Sequence, residues 1–335
     1  MTKEQLEDEF FSEKLYHSYS SLSKLLYSPA LFYKEYVLKE RETATSRHLI
    51  EGKLIHSLML DKANFDDLFI IAPDGLPSDN TLKVIEHVWE IHRNPETIED
   101  LDNTKMLSDY SQEILDKLAE MELHQSLKTD EQRLAKIINP VTEKYWYFLK
   151  NKEGRDIVDF EMLDKCTAYK DALMQNEEAV RLLTTGDEIY NEHGLVSELE
   201  DLNMGIPVVG IKGLLDNLTI DHTRCVITIN DLKTTNKTVS EFPESVEFWK
   251  YWLQMGIYTL LVSDNYKKLL QQGYTLRQNF IVIDLYKQVY CYEVSLPTMQ
   301  KWVADTLDAI RKASWHFNNQ NYTLPYEFLT QKVVL

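Results

Sequence analysis

From about residue 190 the chain carries three β-branched runs in close succession, "HGLVSELEDL", "IPVVGIKGLLDNLTID" and "TRCVITINDLKTT", separated by short polar turns. Runs of this texture read as strands of one sheet. "ESVEFWKYWLQMGIYTLLVSD" follows as a helix, "TLRQNFIVIDL" and "KQVYCYEVS" as two further strands. "LPTMQKWVADTLDAIRKASW" closes the series as a helix, with Pro297 near its first turn. Strand, strand, strand, helix, strand, strand, helix predicts an α/β sandwich around a mixed sheet flanked by helices. No linker is evident. Residues 1–335 therefore read as a single domain, with a mainly helical N-terminal part over 1–140 and an α/β core over 186–315.

In the N-terminal part, "SYSSLSKLLYSPALFYKEYVLKE" predicts two short helices with a break at Ser28-Pro29. "SRHLIEGKLIHSLMLD" predicts a third, with Leu49, Leu54, Leu58 and Met59 turned inward, and "IIAPDGLPSDN" a loop. Residues 80–137 are helical in pattern and acidic, with Met106, Tyr110, Ile114, Leu118 and Met121 forming one stripe, as a scaffold with a solvated acidic face would. "EKYWYFLKNKEGRDIVDFEML" suggests a hairpin turning near Gly154, followed by a helical stretch over 161–184.

With 44% apolar residues the chain can bury a sizeable core. Its formal net charge of −18 argues against a sequence-independent grip on nucleic acid through the general surface. It does not constrain the chemistry of one cleft, because carboxylates that hold divalent cations are themselves acidic. The charged start "MTKEQLEDEFFSEKL" has no apolar core of a signal peptide, and no run of about 18 apolar residues predicts a membrane span. Three scattered cysteines, Cys166, Cys225 and Cys291, form no CxxC metal site and suit a reducing cytoplasm.

The strand from Cys225 ends in Asp231, Leu232 and Lys233. Side chains alternate along a strand, so Asp231 and Lys233 share a face. Asp216 lies 15 residues earlier, a separation that a hairpin can close. Two adjacent carboxylates repel unless a cation or proton intervenes, and hard oxygen ligands suit Mg²⁺ or Mn²⁺. A lysine beside them can hold a water aimed at phosphorus and stabilise charge on phosphate oxygens. The ordinary alternative for D-x-K is a salt bridge at a strand end. In "GKLIH", Gly52 and His56 stand four apart on one helix face, and His56 reads as either a core residue or a ligand beside a close-approach glycine. In "WLQMGIY", Gln254 and Tyr258 stand four apart, as hydrogen-bonding groups for a phosphate or for Lys233, or as a core tyrosine with a glutamine at its rim. Glu198 is either an extra carboxylate, for a second metal, or part of a solvated strand edge with Glu200.

G-x-x-x-H, then Asp, then D-L-K-T-T, then Q-x-x-x-Y resembles the RecB-type branch of the PD-(D/E)XK nucleases. "SLSKLLYSPALFYKEY", "EGKLIHSLMLDKANFDDLFIIAP" and "GIKGLLDNL…INDLKTT" look more narrowly like RecE-type exonucleases of phages and prophages. The resemblance implies a metal held by His56, Asp216, Asp231 and the Leu232 carbonyl, with Lys233 positioning water and Gln254 and Tyr258 beside it. Lys212, Thr234 and Thr235 are expected DNA contacts, and the basic residues Lys24, Lys34, Lys39, Arg41, Arg47, Lys53, Lys212 and Lys237 are candidates to line the DNA path. The expected activity is exonucleolytic digestion of linear duplex from the 5′ end, for recombination or repair, by a homo-oligomer in a bacterial or phage-infected cell, with a single-strand annealing protein as partner. The cysteine ligands of an iron–sulfur cluster are missing, so no cluster is expected. A non-catalytic scaffold with the same fold, or a nuclease for single strands or internal sites, are the alternatives.

Overall fold

The structure is a computed structural model that describes residues 2–12, 16–40, 46–92, 105–199 and 209–333. Arg41 and Glu200 lie outside the described residues. The chain forms two compact units, one of Met1–Asp61 with Ala168–Leu335 and one of Lys62–Thr167.

The strands are β1 (Tyr16–His17), β2 (Phe69–Ile71), β3 (Asp156–Val158), β4 (Glu188–Leu199), β5 (Val209–Asp221), β6 (Val226–Thr235), β7 (Thr275–Asp284) and β8 (Val289–Glu293). In the first unit, six of them form one mixed sheet in the order β1-β5-β6-β7-β8, with β4 also on β5. β4–β5 and β5–β6 are antiparallel, and β7–β8 is antiparallel as well. β6 and β7 run parallel, as strands joined through a helix do. β6 pairs with the stretch of β5 from Asn217 to Asp221, and β1 takes the same side of β5 at Gly210 and Ile211.

β5 changes phase along its length. Ile211 and Leu215 belong to the same apolar core as Leu218 and Ile220, while Leu214 is 53% exposed. Odd residues therefore face the core before Asp216 and even ones after it, although a regular strand keeps one parity throughout. β4 shifts at the same place. Leu195 and Ser197 are buried beyond Glu192, whereas Tyr190 packs on the core before it. The pairing keeps its register on both sides, from Asn191↔Asn217 to His193↔Leu215, and Glu192 takes up the change with φ of +45°.

The predicted long helix after β6 is two, Phe242–Phe248 and Tyr251–Asn265, broken at Lys250 with φ of +57°. The second packs on Leu296–Asn319. A Cβ on Gly256 would overlap Thr306 and meet the Trp302 carbonyl, so the glycine permits this close approach. The predicted helical stretch 161–184 is likewise two helices, Phe160–Gln175 and Glu177–Thr184. The Asn176 side chain caps the second through the Ala179 amide at 2.9 Å. The Ser28-Pro29 break is present, with Tyr19–Tyr27 and Pro29–Phe32 on either side. In helix Arg47–Leu60 the buried stripe is Leu54, Ile55 and Leu60, and Leu49 is exposed rather than inward.

The second unit gathers helices Asp79–His92, Ser111–Glu120 and Pro140–Asn151 around Val84, Val88, Ile114, Leu118 and Trp146. Tyr110, Ile114 and Leu118 are buried as the predicted stripe requires, but Met106 is exposed. The hairpin expected at "EKYWYFLKN" is absent. Asn139 caps a helix at Val141 and Thr142 with Pro140 in its first turn, and these local signals override the β-rich composition. β3 instead pairs in parallel with β2. No helix among the described residues is long and apolar enough to cross a membrane.

Candidate active site

The β5–β6 hairpin turns through residues 222–225, and Asn217↔Asn230 is the pair farthest from that turn. Asp216 and Asp231 follow that pair on adjacent strands. Both are buried, Asp231 completely. One Asp216 oxygen accepts the Leu232 amide at 2.7 Å. The Leu232 carbonyl accepts from His56 Nε2 at 3.1 Å, which brings helix Arg47–Leu60 onto the strand end. The other imidazole nitrogen, Nδ1, lies 3.6 Å from Asp216 Oδ1 and 3.6 Å from Glu192 Oε1. His56, Glu192 and Asp216 each offer a ligand atom, all within 4.8 Å of one another.

Lys233 makes an ion pair with Asp231 Oδ2, and its ammonium lies 5.0 Å from the centroid of the Tyr251 ring. Apart from this ion pair, neither Asp231 oxygen has a hydrogen-bond partner among the described residues. Burial raises the Asp231 carboxyl from 3.8 to about 6, against the pull of Lys233 and with repulsion from Asp216. Burial alone would lower Lys233, but the carboxylates of Asp231 and Asp216 outweigh it and keep the ammonium charged. Burial also works against a charged His56. Asp216 and Glu192 overcome it and raise the imidazole above 6.5. The cluster thus sets the His56 imidazole and the Lys233 amine among three carboxyl groups.

Against the expected site, His56, Asp216, Asp231, Leu232 and Lys233 come together. Glu198 does not. It pairs with Gly210, six residues from Glu192 or about 20 Å along the strand, and accepts the Tyr16 hydroxyl at 2.7 Å. The acid that sequence reading missed is Glu192. β4 begins at Glu188, five residues before the "HGLVSELEDL" run, and the missed segment "EIYNE" carries it. Tyr258 is committed as a donor to the Leu214 carbonyl at 2.6 Å, and accepts from Gln254 Nε2 at 2.8 Å. It is thus a brace between its helix and β5, while Gln254 Oε1 is buried without a hydrogen-bond partner among the described residues. Thr234 is exposed at the end of β6, and Thr235 accepts the Lys237 amide at 3.1 Å. Lys212 is exposed on β5, opposite Val196. Of the basic residues proposed for a DNA path, Lys24, Lys39, Arg47 and Lys237 are paired with Glu35, Glu9, Glu51 and Glu244. Gly52 is not packed closely. A Cβ there would meet nothing within 4 Å among the described residues.

Acids on adjacent strands with a lysine two residues past the second acid define a nuclease-type centre. The chain belongs to the PD-(D/E)XK nuclease superfamily, whose model matches residues 16–322. Among solved structures it is similar to a protein from Eubacterium rectale named "Putative exonuclease", with 12% identity, a TM-score of 0.45, and coverage of 96% of this chain and 89% of that one. SSO0001 is a second, at 14% identity and a TM-score of 0.25, with 68% of this chain and 84% of that one covered. No curated protein matches the chain.

Nucleases of this superfamily usually use divalent metals. The residues here fit one. The His56, Glu192 and Asp216 ligand atoms lie within 4.8 Å of one another, beside the buried Asp231 carboxylate with Lys233 as its ion-pair partner. An imidazole with carboxylate oxygens is a donor set for a hard or borderline divalent ion.

Proposed function

We propose that the chain is a Mg²⁺- or Mn²⁺-dependent exodeoxyribonuclease that digests linear duplex DNA from its 5′ ends and leaves single-stranded tails for recombination or repair. The observation that carries this reading is the convergence of His56, Glu192 and Asp216 beside a buried Asp231–Lys233 pair. The metal would be held by His56, Asp216, Asp231 and the Leu232 carbonyl, with Glu192 completing the set. Bound there, it supplies Lewis acidity to a phosphate oxygen and a more acidic water.

The chain's own groups divide the remaining work. Lys233 stays protonated, so it acts as a fixed cation that orients the attacking water and stabilises charge on the phosphate. Asp231 and the Tyr251 ring hold it in place. Tyr258 and Gln254 brace β5 beside Asp216 through the Leu214 carbonyl. Phe248 and Trp249 are 71% and 55% exposed just before the Tyr251 helix, as faces on which nucleobases stack. The −18 net charge then calls for enclosure of the DNA by a homo-oligomer, which makes rebinding effectively intramolecular. A single-strand annealing protein is the partner that would use the tails.

The test is purified protein with end-labelled linear duplex, covalently closed circles and single strands, each with Mg²⁺ or with EDTA. Digestion of linear duplex only, with metal only, is expected. Equal cutting of closed circles overturns the exonuclease reading, and no cutting of any substrate favours a non-catalytic binding protein.

A further inference from the structure

Each acid that the sheet contributes to the centre has an asparagine next to it in the chain. Asn191 precedes Glu192, Asn217 follows Asp216, and Asn230 precedes Asp231. Asn191, Asn217, Asn230 and Asn279 are direct partners across β4, β5, β6 and β7. Their amides form a continuous chain of hydrogen bonds. Asn217 Nδ2 donates to Asn191 Oδ1 at 2.8 Å, Asn230 Nδ2 to Asn217 Oδ1 at 2.8 Å, and Asn279 Nδ2 to Asn230 Oδ1 at 3.0 Å. Asn217 and Asn230 also donate to the carbonyls of Leu183 and Leu182, at 3.2 and 2.8 Å. These carbonyls lie in the last turn of helix Glu177–Thr184, where backbone acceptors have no intrahelical partner. A carbonyl only accepts, so both amide nitrogens must face the helix, and the direction of the whole chain follows.

We propose that this ladder is a positioning device for the metal centre, with Asn217 and Asn230 as its positioning residues; the inference rests on reading that centre as a metal site. On β6 the alternation is regular, so Asn230 and Asp231 point to opposite faces and the ladder lies behind the sheet from Asp231. A slip of one residue in any pairing would break the ladder and turn asparagines into the apolar core. Only one register satisfies every amide. An apolar residue at either position would avoid burying a polar group, but would leave the register to the far less specific fit of neighbouring hydrophobes. Aspartate is short, and its oxygens follow its backbone closely. A ladder that pins residues 217 and 230 to helix Glu177–Thr184 therefore holds Asp216 and Asp231 at the spacing that one ion requires, a tolerance of about 0.5 Å.

The test is calorimetric titration of the full chain with Mn²⁺. Asn230→Val removes a donor to two acceptors while suiting a strand. It should remain cooperatively folded and bind Mn²⁺ about 10-fold more weakly, the scale of a lost supporting bond behind a ligand. At saturating Mn²⁺ its kcat should fall while KM for DNA holds. Asn191→Ala removes only the exposed end of the ladder, so it retains the fold and should weaken Mn²⁺ by a few-fold. Ile310→Val, on the buried face of helix Leu296–Asn319, lowers stability without touching the ladder and should bind Mn²⁺ like the parent. If Asn230→Val fails to fold, Asn191→Ala decides. Parental Mn²⁺ affinity in both ladder variants, or equal weakening in Ile310→Val, overturns the proposal. Mn²⁺ binding by the parent chain without DNA cleavage would instead overturn the nuclease reading, while the affinity comparison still judges the ladder.

Discussion

Glu192 and Asp216 lie between the Asn191↔Asn217 and His193↔Leu215 pairs of β4 and β5, and His56 Nδ1 stands 3.6 Å from a carboxylate oxygen of each. The imidazole is therefore both a proposed metal ligand and, when protonated, the counter-ion that keeps these acids together without metal.

Proton and metal should compete for this position. His56 is raised above 6.5 and Asp231 from 3.8 to about 6, so both hold more protons folded than unfolded. Stability from His56 protonation is fully present below pH 6.5 and is lost as pH rises through its higher folded value. Stability from Asp231 protonation is present below 3.8 and is lost by about 6. In EDTA, Tm should fall as pH rises from 4 through 7. With Mg²⁺ the fall should shrink or reverse, because metal needs the deprotonated ligands. Parallel Tm profiles with and without Mg²⁺ would contradict this.

Asp231→Asn should abolish cleavage, by at least about 100-fold, without lowering metal-free stability. A raised carboxyl near 6 means that ionised Asp231 costs the folded state on the order of 3 kcal/mol at neutral pH, and the amide removes that charge. The loss of a partner for Lys233 offsets part of the gain. Glu192→Gln should weaken Mn²⁺ binding, whereas Glu198→Gln should leave it at the parental value. Calorimetry and thermal melts of the three variants check this, and near-parental cleavage by Asp231→Asn in Mg²⁺ would refute the metal assignment.

Lys233→Ala should lower kcat by about 10² to 10³, the usual cost of a lost electrostatic stabiliser. Metal affinity should hold or rise, because a cation leaves the neighbourhood of Asp231. Single-turnover cleavage at saturating Mg²⁺ separates the two effects. Full recovery of rate at high metal would make Lys233 a structural ion-pair partner only.

Gly52 lies within a helix, where glycine costs about 0.5–1 kcal/mol relative to alanine, and no described atom comes near its missing Cβ. If the substrate backbone passes there, one turn from His56, Gly52→Ala should raise Tm yet raise KM for DNA. A variant that is more stable and equally active would assign the glycine no role in binding.

Much of this site is legible in sequence because its parts are local. Asp231 and Lys233 share a face through simple alternation, and a short hairpin brings Asp216 beside them. Glu192 is hidden for a physical reason. It sits in a polar segment before the apolar part of β4, with a backbone conformation that no pattern of hydrophobicity announces. Tyr258 is readable as a hydrogen-bonding residue, but its commitment to the Leu214 carbonyl depends on how the Tyr251–Asn265 helix crosses β5. The helix at Pro140–Asn151 misleads because its aromatic, β-prone residues cover the Trp89–Trp146 core, while the signal that starts it lies in two residues, Asn139 and Pro140.

The simultaneous change of face at Glu192 and Asp216 bears on which length variants of this protein remain viable. Beyond that rung, β4 and β5 form a ribbon whose apolar side is set independently of the part below. Removing two whole rungs there, two residues from each strand, displaces none of the acids and keeps each outer side chain on its face, while removing a single residue from either strand turns every outer side chain on it to the wrong side. Inherited insertions and deletions in this ribbon should therefore survive as matched pairs.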